Sequence, residues 1–523
     1  MKKYNSIKIQ LACVGFILLF FSCSSEIDNV VNSNNPDRNQ VLANGSDLIG
    51  VTSGGFVTWW QANGRDLYPP LAVAGDIATC SWGNFGMRVL SSEPRNPIIN
   101  ASSWADISVL EQPWQGNYGA ISSANDVLGA INNNGITWIA GGVDNTPMVS
   151  AASYLLRGLS YGYLGMLFEK GFEVDENTDL TQKLEFVTYQ QLIDLALADL
   201  DSAIALANSN TFEIPNTVIN GVSISDANLI KLCNSFKARF IVQSARNVTE
   251  TNAIDWNQIK TLTENGITED FGPIGDNGIS WWNNSNVLMD SPNGFGPFGA
   301  RLDMRLVHLL DPSQPEFFPA SSGSTLANPE MTSLDARVGT GKDFEFRPDV
   351  LFRSERGRFH FSHYIHTRFQ NDPTFSDGAD AKQIKTFMFE DNRLLMAEAK
   401  ARLDDLSGAI SDVNLSSRVI RGGLSPLAGT ASKDEILDAI FYERYIELFN
   451  TAVGSGYFDR RRTNDLQVGT FRHLPVPSSE LEVLSESLYT LGGTNADPSG
   501  TMPHYDLTAA AERTDDSFMP TFN

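Results

Sequence analysis

Long segments with helical periodicity are the feature of this sequence that most restricts its fold. In residues 188–207, apolar side chains recur every three or four positions, while the aspartates lie elsewhere. The apolar stripe consists of Leu192, Leu195, Ala196, Leu200, Ala203 and Leu206. This pattern predicts an amphipathic helix that buries one side. Strand-like alternation is scarce along the chain, so we expect a mainly α protein.

The helical segments come in sets. Similar stripes occur at residues 115–132, 148–169, 226–246, 384–404 and 433–450. Together with residues 188–207 these make six segments. In chain order, the first four of them (115–132, 148–169, 188–207 and 226–246) fall into two pairs joined by loops, which is typical of stacked tetratricopeptide-like helix pairs. Ser432 followed by Glu435 forms a capping-box pattern, which predicts the start of the last helix.

Two long tracts rich in Gly, Pro, Asn and aromatic residues interrupt the helical blocks. They cover residues 50–115 and 270–375 and are too long and too aromatic to be linkers. We predict irregular, loop-rich structure packed over the helix pairs, where binding residues tend to lie. Residues 47–270 and 271–523 are interpreted as two regions of one globular unit.

The N-terminus has the pattern of a secretory signal. Three lysines precede the apolar run IQLACVGFILLFFS, which ends at Cys23 and is too short to span a bilayer comfortably. Residues 1–22 resemble a bacterial lipoprotein signal, although Phe20 stands where Leu is usual. The resemblance implies that Cys23 is acylated with chains such as palmitate, which would hold the protein on a membrane. The alternative is an ordinary cleaved signal that releases a soluble protein.

The segment after the signal is polar, and the whole chain is acidic. Residues 23–46 are rich in Ser, Asn and Asp and predict a flexible tether. The chain has 38 Lys and Arg against 62 Asp and Glu, a net charge of −24. Without the three signal lysines the charge is −27, which argues against nucleic acid as a partner. Beyond Cys23 the cysteines are Cys80 and Cys233, enough for one disulfide but not for a disulfide scaffold.

Tryptophans are concentrated in the irregular tracts, where Trp59-Trp60 and Trp281-Trp282 form adjacent pairs. An indole face matches the C–H face of a sugar ring, and Asn and Arg side chains bond hydroxyls in fixed directions. The candidate glycan-binding residues on this basis are Trp82, Asn84, Phe85, Arg88, Trp281, Trp282 and Asn283. The alternative for each ring is a place in the hydrophobic core.

Two carboxylates near the end of the chain raise the alternative of a hydrolase. Glu443 and Glu447 lie four residues apart on one helical face, where like charges need a neutralising partner. The nearby run Arg460-Arg461-Arg462 is the partner that we expect, because guanidiniums bind carboxylates bidentately. This structural interpretation competes with paired carboxylates for glycosidic cleavage, which need a defined separation across a sugar.

The remaining motifs are weak evidence for a metal site or an enzyme active site. His360, His363 and His366 lie in an aromatic segment that predicts a strand, which would alternate their faces, so we expect packed or surface histidines and no metal site. The sequence contains no phosphate loop, zincin motif or nucleophile elbow. We expect no cofactor; structural calcium among the many Asp and Asn residues stays open, with no loop that locates it.

Several longer segments carry a family resemblance. They are WQGNYGAISSANDVLGAI at 114–131, AASYLLRGLSYGYLGMLF at 151–168, NRLLMAEAKARL at 392–403, VNLSSRVIRGGLSP at 413–426, EILDAIFYERYIELF at 435–449 and LPVPSSEL at 474–481. Together with the lipoprotein signal, they resemble the SusD/RagB family of surface glycan-binding lipoproteins. NTAVGSGYFDRRRTND at 450–465 departs from the usual Glu-Gly-x-Arg followed by Trp, which affects the local ion pairs.

This resemblance implies a function without catalysis. A member of the family would bind oligosaccharides or polysaccharides at the surface of the outer membrane and deliver them to a SusC-like TonB-dependent transporter for nutrient uptake. Aromatic residues from irregular tracts commonly bind the sugar in the family, which agrees with Trp82 and Trp281-Trp282 by location only. The alternatives are a peptide-capturing lid of the same transporter type and a surface glycoside hydrolase.

Overall fold

The computed structural model describes residues 38–493 except 94, 277–278, 283–298, 319–328, 349–361, 372–381 and 452. The signal segment, Cys23, most of the predicted tether, Asn283 and His360 therefore lie outside the described residues.

Helices dominate the described chain, which confirms the prediction of a mainly α fold. They are α1 (Arg38–Leu42), α2 (Leu48–Asn63), α3 (Tyr68–Ala74), α4 (Met87–Leu90), α5 (Ser108–Asn132), α6 (Thr146–Leu167), α7 (Tyr189–Ser209), α8 (Asp226–Ser244), α9 (Val248–Asn252), α10 (Trp256–Glu264), α11 (Met304–Leu310), α12 (Arg368–Asn371), α13 (Phe389–Arg402), α14 (Leu406–Asn414), α15 (Ser417–Ile420), α16 (Lys433–Ile446), α17 (Ser455–Arg462) and α18 (Ser478–Val483). Within this part of the chain, no helix combines the length and apolar character needed to cross a membrane.

The strands are short and pair two at a time in antiparallel register. They are β1 (Ala78–Thr79), β2 (Ile139–Ala140), β3 (Val143–Asp144), β4 (Lys170–Phe172), β5 (Phe186–Thr188), β6 (Glu213–Ile219), β7 (Val222–Ser225), β8 (Arg301–Leu302), β9 (Phe344–Phe346) and β10 (Tyr364–His366). The pairs are β1 with β8, β2 with β3, β4 with β5, β6 with β7 and β9 with β10. The β1–β8 pair joins the two irregular tracts.

The long helices pack in sequence, as the predicted pairs require. Helix α5 packs against α6, α6 against α7 and α7 against α8. Helix α13 packs against α10, α14 and α16. Capping boxes begin two of them: Thr188 with Gln191 at α7, and Ser432 with Glu435 at α16. The second of these confirms the predicted helix start, because both halves of the capping box are hydrogen-bonded.

One sequence prediction needs correction. The tract 50–115 includes all but the first two residues of the sixteen-residue helix α2, together with the shorter α3 and α4, so much of it is helical. Helix α2 has few long aliphatic residues and several glycines, which hide its periodicity. Gly55 allows α2 to approach α6 closely, since a Cβ there would lie 2.5 Å from the Cδ2 atom of Leu156.

Buried charges hold the irregular tracts to the helices. The Arg305 guanidinium on α11 donates to Asp76 at 3.0 Å and to Asp465 at 2.7 Å, and Arg95 also pairs with Asp76. All four residues are buried. A buried ion pair with satisfied hydrogen bonds specifies one arrangement, because breaking it would leave an uncompensated charge away from water.

A second buried network joins four helices. Its alternating charges run Arg239, Asp391, Arg444, Asp459, Arg462 and Glu398, with each contact between 2.6 and 2.8 Å. Helices α8, α13, α16 and α17 contribute these side chains. Arg402 Nε also binds Glu398, at 2.9 Å, so four guanidiniums surround three carboxylates. Burial raises the pKa of Glu398, but the neighbouring guanidiniums outweigh it and lower that pKa to about 2.

Candidate functional site

The turn after β1 carries four of the residues predicted to contact a ligand. Asn84 and Arg88 are exposed, and Trp82 and Phe85 are half-buried against the core. Phe85 has φ 53° and ψ 33°, in the left-handed region. That conformation is strained for a bulky residue, so the surrounding packing must hold it, and such strain often marks a functional position.

Cys80 supports this turn from below. Its thiol is fully buried, accepts a hydrogen bond from the Trp82 backbone N–H at 3.5 Å and donates toward the Gly299 carbonyl at 3.7 Å. Cys80 is therefore a small packed residue of the hydrophobic core. Cys80 and Cys233 are both free thiols, so they do not form the disulfide that the sequence left open.

The two tryptophan pairs meet in the structure. The rings of Trp60 and Trp281 lie 6.0 Å apart at 31°, and the Trp60 indole N–H donates to the Trp282 carbonyl at 3.0 Å. Trp281 is only 6% exposed and belongs to the hydrophobic core, so its predicted place on the ligand surface needs correction. Asp276 holds this segment by accepting from the Trp281 N–H at 2.9 Å.

Trp282 remains half-buried and has polar neighbours. The Arg65 guanidinium lies over its ring at 5.7 Å, within range of a cation–π contact. Arg65 Nε donates to Asp66 Oδ2 at 2.9 Å, and Gln112 Nε2 donates to the same oxygen at 3.0 Å. The Asp66 carboxylate therefore orients both donors.

This polar group joins the two tracts. Asp66, Gln112 and Phe85 line one shallow depression, and Arg65 connects Asp66 to Trp282. We call Arg65, Asp66, Phe85, Gln112 and Trp282 the Trp282 surface. Arg65, Asp66 and Gln112 were not predicted as site residues from the sequence. The signal available was the polar turn NGRD at 63–66, which directly follows the Trp59-Trp60 helix.

Glu443 and Glu447 are closed off from any substrate, with exposures of 0% and 1%. Burial raises the pKa of Glu443 to about 7, despite Arg337, which donates to its two oxygens at 2.8 and 2.9 Å. Burial also raises the pKa of Glu447, but Arg368, Arg421 and Arg337 outweigh it and hold that pKa below its usual value. Separated pKa values are typical of a glycosidase pair, but a sugar cannot reach these two groups.

The neutralising partners differ from those predicted. Arg337, Arg368 and Arg421 bind the two glutamates, and the run Arg460-Arg461-Arg462 does not. Arg460 pairs with Asp465, Arg461 donates to backbone carbonyls of Met166 and Arg472 at 2.8 and 2.7 Å, and Arg462 binds Glu398. The run lies on α17, whose buried setting directs each guanidinium to a different partner.

Of the histidines in the aromatic segment, the structure describes His363 and His366, and both lie against aromatic rings. His366 ends β10 and is buried, with its ring 4.3 Å from that of Phe449 and 5.2 Å from that of Phe344. Burial holds the pKa of His366 well below its usual value, which keeps the ring neutral. His363 is half-buried against Phe346. Over the described residues, no group of His, Cys, Asp and Glu is arranged to hold a metal ion.

The fold and site define a class: a helical, tetratricopeptide-like scaffold with a polar and aromatic surface built from irregular tracts. No protein-family model and no curated protein matches the sequence. Solved structures do match, at low identity. A SusD superfamily protein from Parabacteroides distasonis has 13% identity and a TM-score of 0.59, over 84% of this chain and 97% of that one.

The names of two further similar solved structures refer to glycans. Surface glycan-binding protein A from Bacteroides thetaiotaomicron has 15% identity and a TM-score of 0.52, over 86% of this chain and 99% of that chain. A protein solved with a xylogluco-oligosaccharide has 13% identity and a TM-score of 0.53, over 90% and 95% of the two chains. This protein therefore has a SusD-like fold.

Proposed function

We propose that this protein binds glycans through the Trp282 surface. The observation that carries the proposal is the half-buried Trp282 indole beside the hydrogen-bonded group Arg65, Asp66 and Gln112. An indole offers a flat apolar face to sugar C–H groups, and the charged and amide groups next to it can bond sugar hydroxyls. Because Trp60 and Trp281 hold the segment in place from below, the surface is organised before a ligand arrives.

The cellular setting is part of the same proposal. The protein is anchored to the outer membrane through acylated Cys23, faces the outside and delivers its glycan to a SusC-like TonB-dependent transporter. The lipoprotein-like signal and the SusD-like fold support this assignment. The names of two structural neighbours, one a surface glycan-binding protein and one solved with a xylogluco-oligosaccharide, support a glycan as the ligand.

The proposed role is binding without catalysis. Glu443, the residue that a hydrolase hypothesis would use, is fully buried against Arg337. Affinity for one short oligosaccharide should be modest, because docking replaces many hydrogen bonds to water and only the surplus contributes. Many copies on one cell surface would bind a polysaccharide more tightly through avidity.

Affinity electrophoresis tests the proposal. The protein from residue 24 onward is run through gels that contain one polysaccharide each, including xyloglucan, starch, arabinan and mannan. We expect retardation in at least one gel, and loss of it in Trp282→Ala. Trp138→Ala, another half-buried tryptophan outside the Trp282 surface, is the matched control and should migrate as wild type.

Three results would contradict the proposal. They are no retardation in any gel, equal retardation of Trp282→Ala, and binding confined to a parallel peptide panel. The last would favour the peptide-capturing alternative. Release of new reducing ends from a retarding polysaccharide would indicate a hydrolase.

A further inference from the structure

A cleft lies between β7, the first turns of α8 and residues 267–271. Its empty space, part of it open to solvent, is about 450 Å³. Its floor is apolar and buried, formed by Ile224, Leu232, Ile267 and Phe271. It shares no lining residue with the Trp282 surface.

The rim of this cleft is polar. It consists of Ser223, Asn228, Lys231, Thr268 and Glu269. Over the described chain, none of these five side chains forms a hydrogen bond or ion pair with another residue. Asp270 shows the contrast: its carboxylate accepts from the Phe389 N–H at 2.8 Å and pairs with Lys385 at 2.9 Å. The rim therefore keeps its hydrogen-bonding capacity for a ligand.

The chemistry of the rim selects the kind of ligand. Two hydroxyls and a carboxamide both donate and accept, the Lys231 ammonium donates and the Glu269 carboxylate accepts. Sugar hydroxyls likewise donate and accept. Lys231 and Glu269 carry opposite charges, and the second carboxylate that lines the cleft, Asp270, is paired with Lys385, so the charges at the cleft balance. Its apolar floor matches the C–H face of a sugar ring.

We propose that this cleft is a second glycan subsite that holds one neutral sugar ring. The proposal rests on the glycan-binding function proposed above and extends it to a second place on the molecule. Two subsites on one protein would increase its affinity for a polymer without any new contact at the Trp282 surface.

Saturation-transfer NMR with methyl β-D-glucoside, methyl β-D-galactoside and methyl β-D-xyloside as probes tests the subsite. The measurements use the chain from residue 24 onward with Trp282→Ala, so that the Trp282 surface does not contribute. Leucine serves as a zwitterionic probe. Lys231→Met and Glu269→Gln are added singly to this background. Lys260→Met is the matched control, since Lys260 is a surface lysine on α10 outside the cleft.

We expect at least one methyl glycoside to bind and to bind about tenfold more weakly after Lys231→Met or Glu269→Gln, because each change removes a charged hydrogen-bonding partner. Lys260→Met should have no effect. Circular dichroism checks that every variant is folded, and Asn228→Ala provides an independent change to the rim.

The subsite is excluded if no glycoside binds, if the rim variants and Asn228→Ala leave glycoside binding unchanged, or if leucine alone depends on Lys231. The experiments distinguish failure of this subsite from failure of the proposed Trp282 surface. Gel retardation of the wild type by a polysaccharide, together with no glycoside binding that depends on Lys231, overturns the subsite only. Glycoside binding that depends on Lys231, with equal retardation of wild type and Trp282→Ala, overturns the Trp282 surface only.

Discussion

The indole N–H of Trp60 donates a hydrogen bond of 3.0 Å to the backbone carbonyl of Trp282. This bond joins α2 to a segment more than two hundred residues later and fixes the position of the Trp282 backbone. Trp281, the preceding residue, packs its ring near that of Trp60 inside the core. Adjacent tryptophans therefore have different roles, one structural and one on the surface.

Substitution of these two tryptophans should separate binding from stability. Trp282→Ala should weaken glycan binding at least about tenfold and change the free energy of unfolding by less than about 1 kcal/mol. Trp281→Ala should lower the free energy of unfolding by about 3–5 kcal/mol, because it opens a cavity in the core. Isothermal titration and urea unfolding measure the two effects. A Trp281→Ala variant that is as stable as wild type but no longer binds glycan would show that Trp281 contacts the ligand.

Arg337→Met should be strongly destabilising. Arg337 binds Asp335, Glu443 and Glu447, all buried, and its loss leaves their charges undercompensated. Breaking a buried pair from one side costs about 3–5 kcal/mol. Urea denaturation measures the change, and Arg88→Met, at an exposed arginine, should shift stability by less than about 0.5 kcal/mol. Equal stability of the two variants would show that the Arg337 network contributes little.

Glu390 should make stability depend on pH. Burial raises its pKa to about 7, although the Ser417 N–H bonded to it at 2.8 Å acts in the opposite direction. Between pH 4.5 and 7 the folded protein therefore holds a proton that the unfolded chain has released. This contribution to stability is fully present below pH 4.5 and is lost as pH rises through 7.

Glu390→Gln removes this titration and should be about 2–3 kcal/mol more stable than wild type at pH 8, with a smaller difference at pH 5. Urea unfolding between pH 4.5 and 8 measures it. The control is Glu435→Gln: the Ser432 N–H lowers the pKa of Glu435, so this group is ionised across the window. A constant difference between Glu390→Gln and wild type at all pH values would contradict the prediction.

The two core cysteines should be unreactive until the protein unfolds. Cys80 and Cys233 are fully buried and free, and burial raises the pKa of the Cys233 thiol. Protein that begins at residue 24 should show almost no reaction with a thiol reagent in buffer and two thiols per chain in denaturant. Absence of both thiols in denaturant would reveal a disulfide.

The sequence predicted the long helices well because their signals are local. The start of α8 at Asp226 and the capping box at Ser432 depend on residues within one or two helical turns. Helix α2 escaped prediction because its buried surface combines two tryptophans with Gly55, and Gly55 matters only through its close approach to Leu156 of α6 and Ser123 of α5.

The candidate site was predictable only in part. Trp282 and Phe85 were found because aromatic residues in irregular tracts are visible in any sequence, but Arg65 and Gln112 were not, because nothing local connects them to Trp282. The partners of Glu443 and Glu447 were missed for a related reason. Adjacency favoured Arg460–Arg462, whereas Arg337 lies more than a hundred residues from Glu443.

The sequence by itself determined the helical character, the helix starts and the excess of negative charge, because periodicity, caps and composition act over short distances. Only the tertiary structure decided which tryptophan of the 281–282 pair reaches the surface, which guanidinium neutralises each buried carboxylate and which polar groups surround Trp282. Those outcomes depend on contacts between residues far apart in the chain, and burial makes each such contact selective.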